Sequence, residues 1–498
     1  MDAGAESGGA RGPWRLALGP ALAAAMLLLG PGDPKVARMA AVALWMAAWW
    51  VTEAIPIPAT ALLPLVLLPL LGIAPVADVA PDYGRPTIFL FLGGFLLALG
   101  LEGTGVHRRL ALFLVEKVGG GPRRLLLGFM LASAFVSMWI SNTATVMVHL
   151  PIALSVLQAA RDRGVPEPEL KRLGAAIMLA ISYAASIGGM ATLVGTPPNL
   201  AYRGQFTDLF PHAPSPSFIE WMMVGTPLAA AFVALGYLAL SRIVFRIHGT
   251  ALLGSREAVS VLRRELGTMR RDEILVASIF GLTAILWMTQ ALWTPWARAR
   301  GAHVDDSVIA IAAALTLFVL PSRDRPGERL LQWRETARLP WGTLLVFGGG
   351  FALASGFQTS GLSQWLGEQF GALRGAPPLL HMAVLCFAMI VFTEFASNTA
   401  ATAMALPIVA SAAVAAGTDP RYLMIPATFA ASCGFMMPVG SPTQTIVFGS
   451  GWVPMRDMIR AGIWFNLIGF ILIPLLFTLL AGAAMGIDAN ILPPWAKP

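Results

Sequence analysis

Two polar triplets, Ser141-Asn142-Thr143 and Ser397-Asn398-Thr399, interrupt apolar stretches of this 498-residue chain. Two further apolar stretches are interrupted by Gly195-Thr196-Pro197 and Gly440-Ser441-Pro442. Each triplet precedes a run that reads as a helix, Ala144 to Gln158 and Ala400 to Val414. Amide and hydroxyl side chains at a helix start, together with its unpaired N–H groups, suit an oxygen-rich anion without burying a cation. Pro197-Pro198 and Pro442 cannot continue a helical ladder, so each break frees carbonyls inside an apolar segment. Such carbonyls, with hydroxyls, suit a hard cation that takes oxygen ligands. Ser137, one helical turn before Ser141, is matched by Thr393 before Ser397, which suggests a paired role for the two hydroxyls. No Lys or Arg lies within these motifs, so bound cations would have to offset the charge of a dianion.

The motifs belong to a repeat. FLGGFLLALGLEGTG (Phe91 to Gly105) lies over FGGGFALASGFQTSG (Phe347 to Gly361) at an offset of 256 residues, with eight of fifteen positions identical, and the same register superposes the two triplets. The Gly-Thr/Ser-Pro breaks follow at an offset of 245. Paired discontinuities at matched places in two apolar halves point to a secondary transporter, in which the cation is commonly sodium. For either triplet alone an ordinary N-cap or a packing role would serve as well. It is the paired register that favours a binding site.

The chain is 56% hydrophobic and 12% charged, with a mean hydropathy of +0.70, and so reads as an all-α polytopic membrane protein. Apolar spans are expected near 16–31, 36–53, 58–73, 86–104, 173–201, 219–245, 272–293, 305–321, 341–359, 421–449 and 457–485, about eleven crossings. The first is read as a retained helix and not as a cleavable signal. The stretches 123–159 and 378–414 are too long for one span and read as re-entrant hairpins with the triplets at their tips. Basic residues concentrate in 105–124, 160–172, 246–271 and 322–340, which places these segments and the N-terminus in the cytoplasm, with Arg298 and Arg300 as the exception. An odd number of crossings between the repeats makes them inverted. The expected division is 1–85 as N-terminal scaffold helices, 86–245 as the first repeat, 246–340 as linker and scaffold, 341–485 as the second repeat and 486–498 as a tail. Segments 105–118 and 361–373 are expected to lie along the membrane interface.

The formal charge of +7 belongs to these loop blocks and indicates no nucleic acid. Cys386 and Cys433 lie in apolar stretches and the six histidines lack ligand spacing, so neither a disulfide framework nor a resident metal cluster is expected. A membrane enzyme would need a nucleophile, a metal cluster or paired acids in the site, and an ion channel would lack obligate coupling. Glu394 is an intramembrane acid and a functional candidate by default, although its repeat partner is Met138. Glu53, His149 and His381 are weaker candidates, and the glycines of FLGGF and FGGGF read as sites of close helix packing.

In these motifs, and in Ala431-Ser432-Cys433-Gly434-Phe435-Met436-Met437-Pro438-Val439-Gly440, the chain resembles the divalent anion/sodium symporter family over nearly its whole length. The resemblance implies a homodimeric, elevator-type carrier of a cell membrane, a bacterial inner membrane favoured, that moves a dianion with co-transported sodium and needs no organic cofactor. It implies a first sodium site from Ser137, Ser141, Asn142 and Gly195 and a second from Thr393, Ala396, Asn398 and Gly440. The substrate set it implies is Asn142, Thr143, Thr196, Asn398, Thr399, Ser441 and Pro442. A C4-dicarboxylate such as succinate or malate is favoured, with a dicarboxylate exchanger, or a citrate or sulfate carrier, as the alternatives. One departure stands out: where the family carries an asparagine after the second break this chain has Gln444, although the first half keeps Asn199. The second break is therefore expected to be held differently.

Overall fold

Proline sets where the helices start. Pro34, Pro86, Pro122, Pro197, Pro378, Pro420 and Pro442 each open a helix at a position whose N–H has no intrahelical partner anyway. The computed structural model describes residues 13–118, 121–247, 255–369, 375 and 377–497, and the named elements among them are all helical. Residues 248–254 of the expected linker and 370–373 of the second interfacial segment lie outside the described residues, as does the start of the scaffold segment. Within those two segments Ser255–Glu265 and Leu362–Gln369 are helical, and the segment expected at the first interface carries the helix Val106–Val118.

Each long apolar stretch is a helical hairpin. Pro122–Ser137 and Asn142–Asp162 form the first, Pro378–Thr393 and Asn398–Ala416 the second. Each expected span carries at least one helix, yet among the described residues only six helices are long and apolar enough to cross a bilayer alone. A seventh is gained if the pair Arg271–Met288 and Gln290–Arg298, bent by 78°, counts as one. Prolines and glycines cut several of the expected spans into shorter pieces. Ile57–Thr60 and Leu63–Leu70 share one stretch, and Glu167–Gly189 and Pro197–Leu209 flank the first break. Pro420–Ala431 and Pro442–Gly449 flank the second. Pro197–Leu209 also runs past the expected end of its span, since Tyr202, Gln205 and Phe206 are buried in protein and need no lipid-compatible surface.

The repeats meet head to tail. Helices Pro86–Thr104 and Trp341–Ser360 both end on a left-handed glycine, Gly105 and Gly361 with φ of 85° and 79°, a conformation without penalty only for glycine. Their equivalent rings Phe91 and Phe347 stack with centroids 4.0 Å apart, so corresponding residues of the two halves touch each other. Gly93 abuts Ala310 and its equivalent Gly349 abuts Ala61. A Cβ at either would come within 2.7 Å of neighbouring backbone, so the glycines permit close packing as expected.

The four basic loops converge on one face, where Arg161, Lys171 and Arg172 share a cavity with Val244 and Phe245, just before Ile247. Arg123 donates to Ile247 O (2.7 Å), Arg109 pairs with Glu273 (2.9 Å), Arg270 with Asp324 (3.1 Å) and Arg338 with Glu102 (3.0 Å). On the opposite face Arg85 pairs with Asp208 (2.6 Å), Gln358 donates to Leu209 O (2.7 Å), and Arg203 pairs with Asp306. Pro86–Thr104 starts at the second face and ends at the basic one, whereas Trp341–Ser360 runs the other way. The repeats are inverted.

Candidate functional site

Four helix N-termini open onto one cavity of about 650 Å³. They belong to Asn142–Asp162, Pro197–Leu209, Asn398–Ala416 and Pro442–Gly449, with Ser141, Thr196, Ser397 and Ser441 as their N-caps. The Ser141 hydroxyl accepts from Ala144 N (3.2 Å) and Ser441 Oγ from Thr443 N (3.4 Å), while Thr196 and Ser397 make no side-chain cap. The seven residues expected to contact substrate, Asn142, Thr143, Thr196, Asn398, Thr399, Ser441 and Pro442, all line this cavity. Its positive potential comes from helix ends. The Arg338 guanidinium lies at the mouth and is paired with Glu102 there. His107, on the helix Val106–Val118, also lines the cavity, and burial holds its imidazole below the usual histidine range.

Behind the cavity each tip asparagine faces a cluster of oxygens. One end of the Asn142 amide lies 2.6 Å from Ser137 Oγ, 3.2 Å from Ala185 O and 3.3 Å from Gly195 O. The corresponding end of Asn398 lies 2.7 Å from Thr393 Oγ1, 3.0 Å from Gly440 O and 3.2 Å from Ala431 O. Either the amide turns its NH₂ inward and its two N–H groups donate among these oxygens, or it turns its Oδ1 inward and completes a set of oxygens for a hard cation. The same choice arises in both halves.

Of the residues expected at the cation sites, Ser137, Asn142 and Gly195 meet in the first cluster and Thr393, Asn398 and Gly440 in the second. The polar contacts of the two asparagines include neither Ser141, whose hydroxyl caps its helix, nor Ala396, a buried residue of the second tip. The carbonyls of Ala185 and Ala431 were not foreseen. Any residue supplies a carbonyl, so residue type gives no signal for them.

Glycine makes the clusters possible. A Cβ on Gly189 would stand 2.6 Å from Asn142 Oδ1, and one on Gly434 would stand 2.8 Å from Thr393 O. Asn199 donates to Gly189 O (3.0 Å) and Thr192 O (2.7 Å). Gln444 donates to Gly434 O, the equivalent of Gly189, so the longer side chain keeps one of these two bonds, and no bond matching that to Thr192 is present. The second break is thus held by one side-chain amide bond where the first has two. Asn199 Oδ1 and Gln444 Oε1 are both buried acceptors without a hydrogen-bond partner.

Glu394 accounts for the difference between the breaks. Its carboxylate accepts from the backbone N–H groups of Phe435 (2.8 Å), Met436 (2.9 and 3.0 Å) and Met437 (3.0 Å), and from Asn466 Nδ2 (2.6 Å). It therefore fixes the irregular segment that carries Gly440. In the first half Met138 has no carboxylate, and its own carbonyl accepts instead from Thr192 Oγ1 (2.5 Å). Tyr183 then ties the first broken helix to the second break by donating to Phe435 O (2.7 Å). His149 and His381 are buried away from the cavity lining, and among the described residues no cluster of metal-binding side chains occurs.

Residues 22–486 match the family described as the sodium:sulfate symporter transmembrane region. The sodium-dependent dicarboxylate transporter SdcS of Staphylococcus aureus (strain MSSA476) is 41% identical over 483 residues, covering 95% of this chain and 92% of SdcS. Two solved structures share the fold. The Alcanivorax borkumensis YdaH transporter superposes with a TM-score of 0.55 at 14% identity, over 89% of this chain and 99% of YdaH. Neisseria gonorrhoeae MtrF gives 0.55 at 14% identity, over 92% of this chain and 97% of MtrF.

Proposed function

The chain belongs to the divalent anion/sodium symporter family, and on that premise we propose that it carries a C4-dicarboxylate of the succinate or malate type across a cell membrane, driven by sodium. The observation that carries this reading is the convergence of four helix N-termini on one cavity, each pair backed by an asparagine-centred oxygen cluster. Two pairs of N-termini suit two carboxylates. The substrate is held by Asn142, Thr143, Thr196, Asn398, Thr399, Ser441 and Pro442. Sodium occupies a first site at Ser137, Ser141, Asn142 and Gly195 and a second at Thr393, Ala396, Asn398 and Gly440, where Ser141 and Ala396 offer backbone carbonyls.

The asparagines couple the two ligands. With sodium present, Oδ1 turns toward the cation and the NH₂ necessarily turns toward the cavity, where it donates to a carboxylate. Without sodium the amide reverses, its two N–H groups donate among the oxygens behind it, and the cavity meets a carbonyl oxygen that repels the anion. Sodium thus supplies both a charge that offsets the dianion and the donor that binds it. The SdcS relative, a sodium-dependent dicarboxylate transporter by name, supports the same coupling and cargo.

Transport follows an elevator-like displacement of the unit containing the hairpins and broken helices, 86–245 and 341–485, against scaffold segments 1–85 and 246–340 in a homodimer. The basic face and the N-terminus lie in the cytoplasm. Purified protein in proteoliposomes tests this reading. An inward sodium gradient should drive accumulation of labelled succinate above equilibrium, and excess unlabelled malate should compete with it more strongly than sulfate or citrate. Counterflow without sodium would make the protein an exchanger, and rapid uncoupled flux would make it a channel.

A further inference from the structure

A second cavity, of about 590 Å³, opens on the basic face among the ends of Asn142–Asp162, Glu167–Gly189 and Met455–Met485. Its walls carry Arg161, Lys171, Arg172 and Arg460 against only Glu167 and Asp457. Arg161 is engaged, 3.4 Å from Glu167 and over the ring of Trp452 at 5.6 Å. Lys171, Arg172 and Arg460 make no ion pair among the described residues. The Trp452 ring is fixed in place because it sits on Gly174, where a Cβ would come within 2.2 Å of it.

Three cations without an ion pair, in a cavity where four basic side chains face two carboxylates, leave a net positive charge that calls for an anionic counterpart. The surroundings select its source. Leu235, Leu238 and Ile243 are exposed along the helical segment that ends at the cavity, which leaves an apolar track leading to the charged site. Tryptophan is enriched at headgroup depth, and basic pockets between membrane helices on the cytoplasmic side suit anionic headgroups. We propose that this cavity binds the phosphodiester headgroup of an anionic phospholipid of the cytoplasmic leaflet, with Lys171, Arg172 and Arg460 on the phosphate and the acyl chains along the track. The site lies apart from the substrate cavity, and of the preceding reading it uses only the cytoplasmic orientation of the basic face.

Native mass spectrometry of the delipidated full chain, titrated with phosphatidylglycerol or phosphatidylcholine, tests the assignment. The wild-type protein should retain phosphatidylglycerol preferentially. Neutralisation of each cation should weaken retention about five-fold, and Lys171→Gln/Arg172→Gln/Arg460→Gln together roughly a hundred-fold. If the triple variant does not fold, as judged by its thermal melt, the single variants Arg172→Gln and Arg460→Gln carry the comparison. Equal retention of phosphatidylglycerol by variants and wild type overturns the site. Displacement of the lipid by low-millimolar inorganic phosphate, or equal retention of phosphatidylcholine, overturns its assignment to an anionic lipid.

Discussion

Replacing Glu394 by Gln tests whether the second cation cluster depends on a carboxylate that never touches it. The carboxylate accepts four donors, the N–H groups of Phe435, Met436 and Met437 and the Asn466 amide, and it is 4% exposed. A glutamine keeps one acceptor oxygen and turns an NH₂ toward donors at the other. In its better orientation the oxygen stays with Phe435 and Asn466, and Met437 N–H loses its acceptor. A hydrogen bond to a charged group contributes about 1.5–3 kcal/mol and a neutral one about 0.5–1.5, so one lost bond and the conversion of the other three to neutral bonds remove roughly 5–6 kcal/mol from the segment that positions Gly440. Each 1.4 kcal/mol expressed in binding is about a factor of ten. The sodium concentration for half-maximal uptake should therefore rise at least about ten-fold in Glu394→Gln at saturating dicarboxylate. Asn466→Ala, which removes a single donor, should move it less. Met138→Leu at the equivalent position of the first repeat should leave it unchanged. The measurement is succinate uptake into proteoliposomes against external sodium, with a thermal melt of each variant. A Glu394→Gln protein with wild-type sodium dependence and wild-type melting would refute the reasoning, because the break would then hold its geometry without the carboxylate.

Asn142→Ala and Asn398→Ala should each abolish uptake while leaving the folded protein intact by size exclusion, and near-normal uptake by either would remove the asparagines from both ligand sites. Ser137→Ala and Thr393→Val each delete one oxygen of a hard-cation shell. Both should raise the sodium requirement more than the substrate requirement at saturating sodium, and an unchanged sodium curve in both would assign the hydroxyls to packing. Gln444→Asn shortens the amide that reaches Gly434 O, so apparent sodium affinity or cooperativity should change while the choice of dianion stays the same. A changed dianion preference instead would place Gln444 at the substrate. In a background lacking Cys386 and Cys433, a cysteine at the exposed position of Arg163 should be labelled only from the cytoplasm and one at exposed Asp78 only from outside. Thr418 is too buried to report on topology.

Residue type and spacing alone carried the membrane class, the inverted repeat and the motifs at the site. A break in a membrane helix needs proline and glycine, and a donor at a helix start needs a short polar side chain, so Ser141-Asn142-Thr143, Ser397-Asn398-Thr399 and the two Gly-Thr/Ser-Pro sequences are visible without coordinates. The charge blocks marked in advance the four loops that converge on one face, because each is local in the chain. The bends within the expected spans were less legible. Hydropathy measures apolar length, whereas the 78° bend after Met288 and the half-helices at the breaks depend on packing. Tertiary structure alone decided which oxygens face the asparagines. The carbonyls of Ala185 and Ala431 carry no residue-type signal and come within reach only when a broken helix passes close to a hairpin tip, which Gly189 and Gly434 allow. The role of Glu394 was hidden for a similar reason. An acid with an apolar counterpart in the repeat could pair with anything nearby, and only the fold sets its carboxylate against three consecutive backbone N–H groups more than forty residues away.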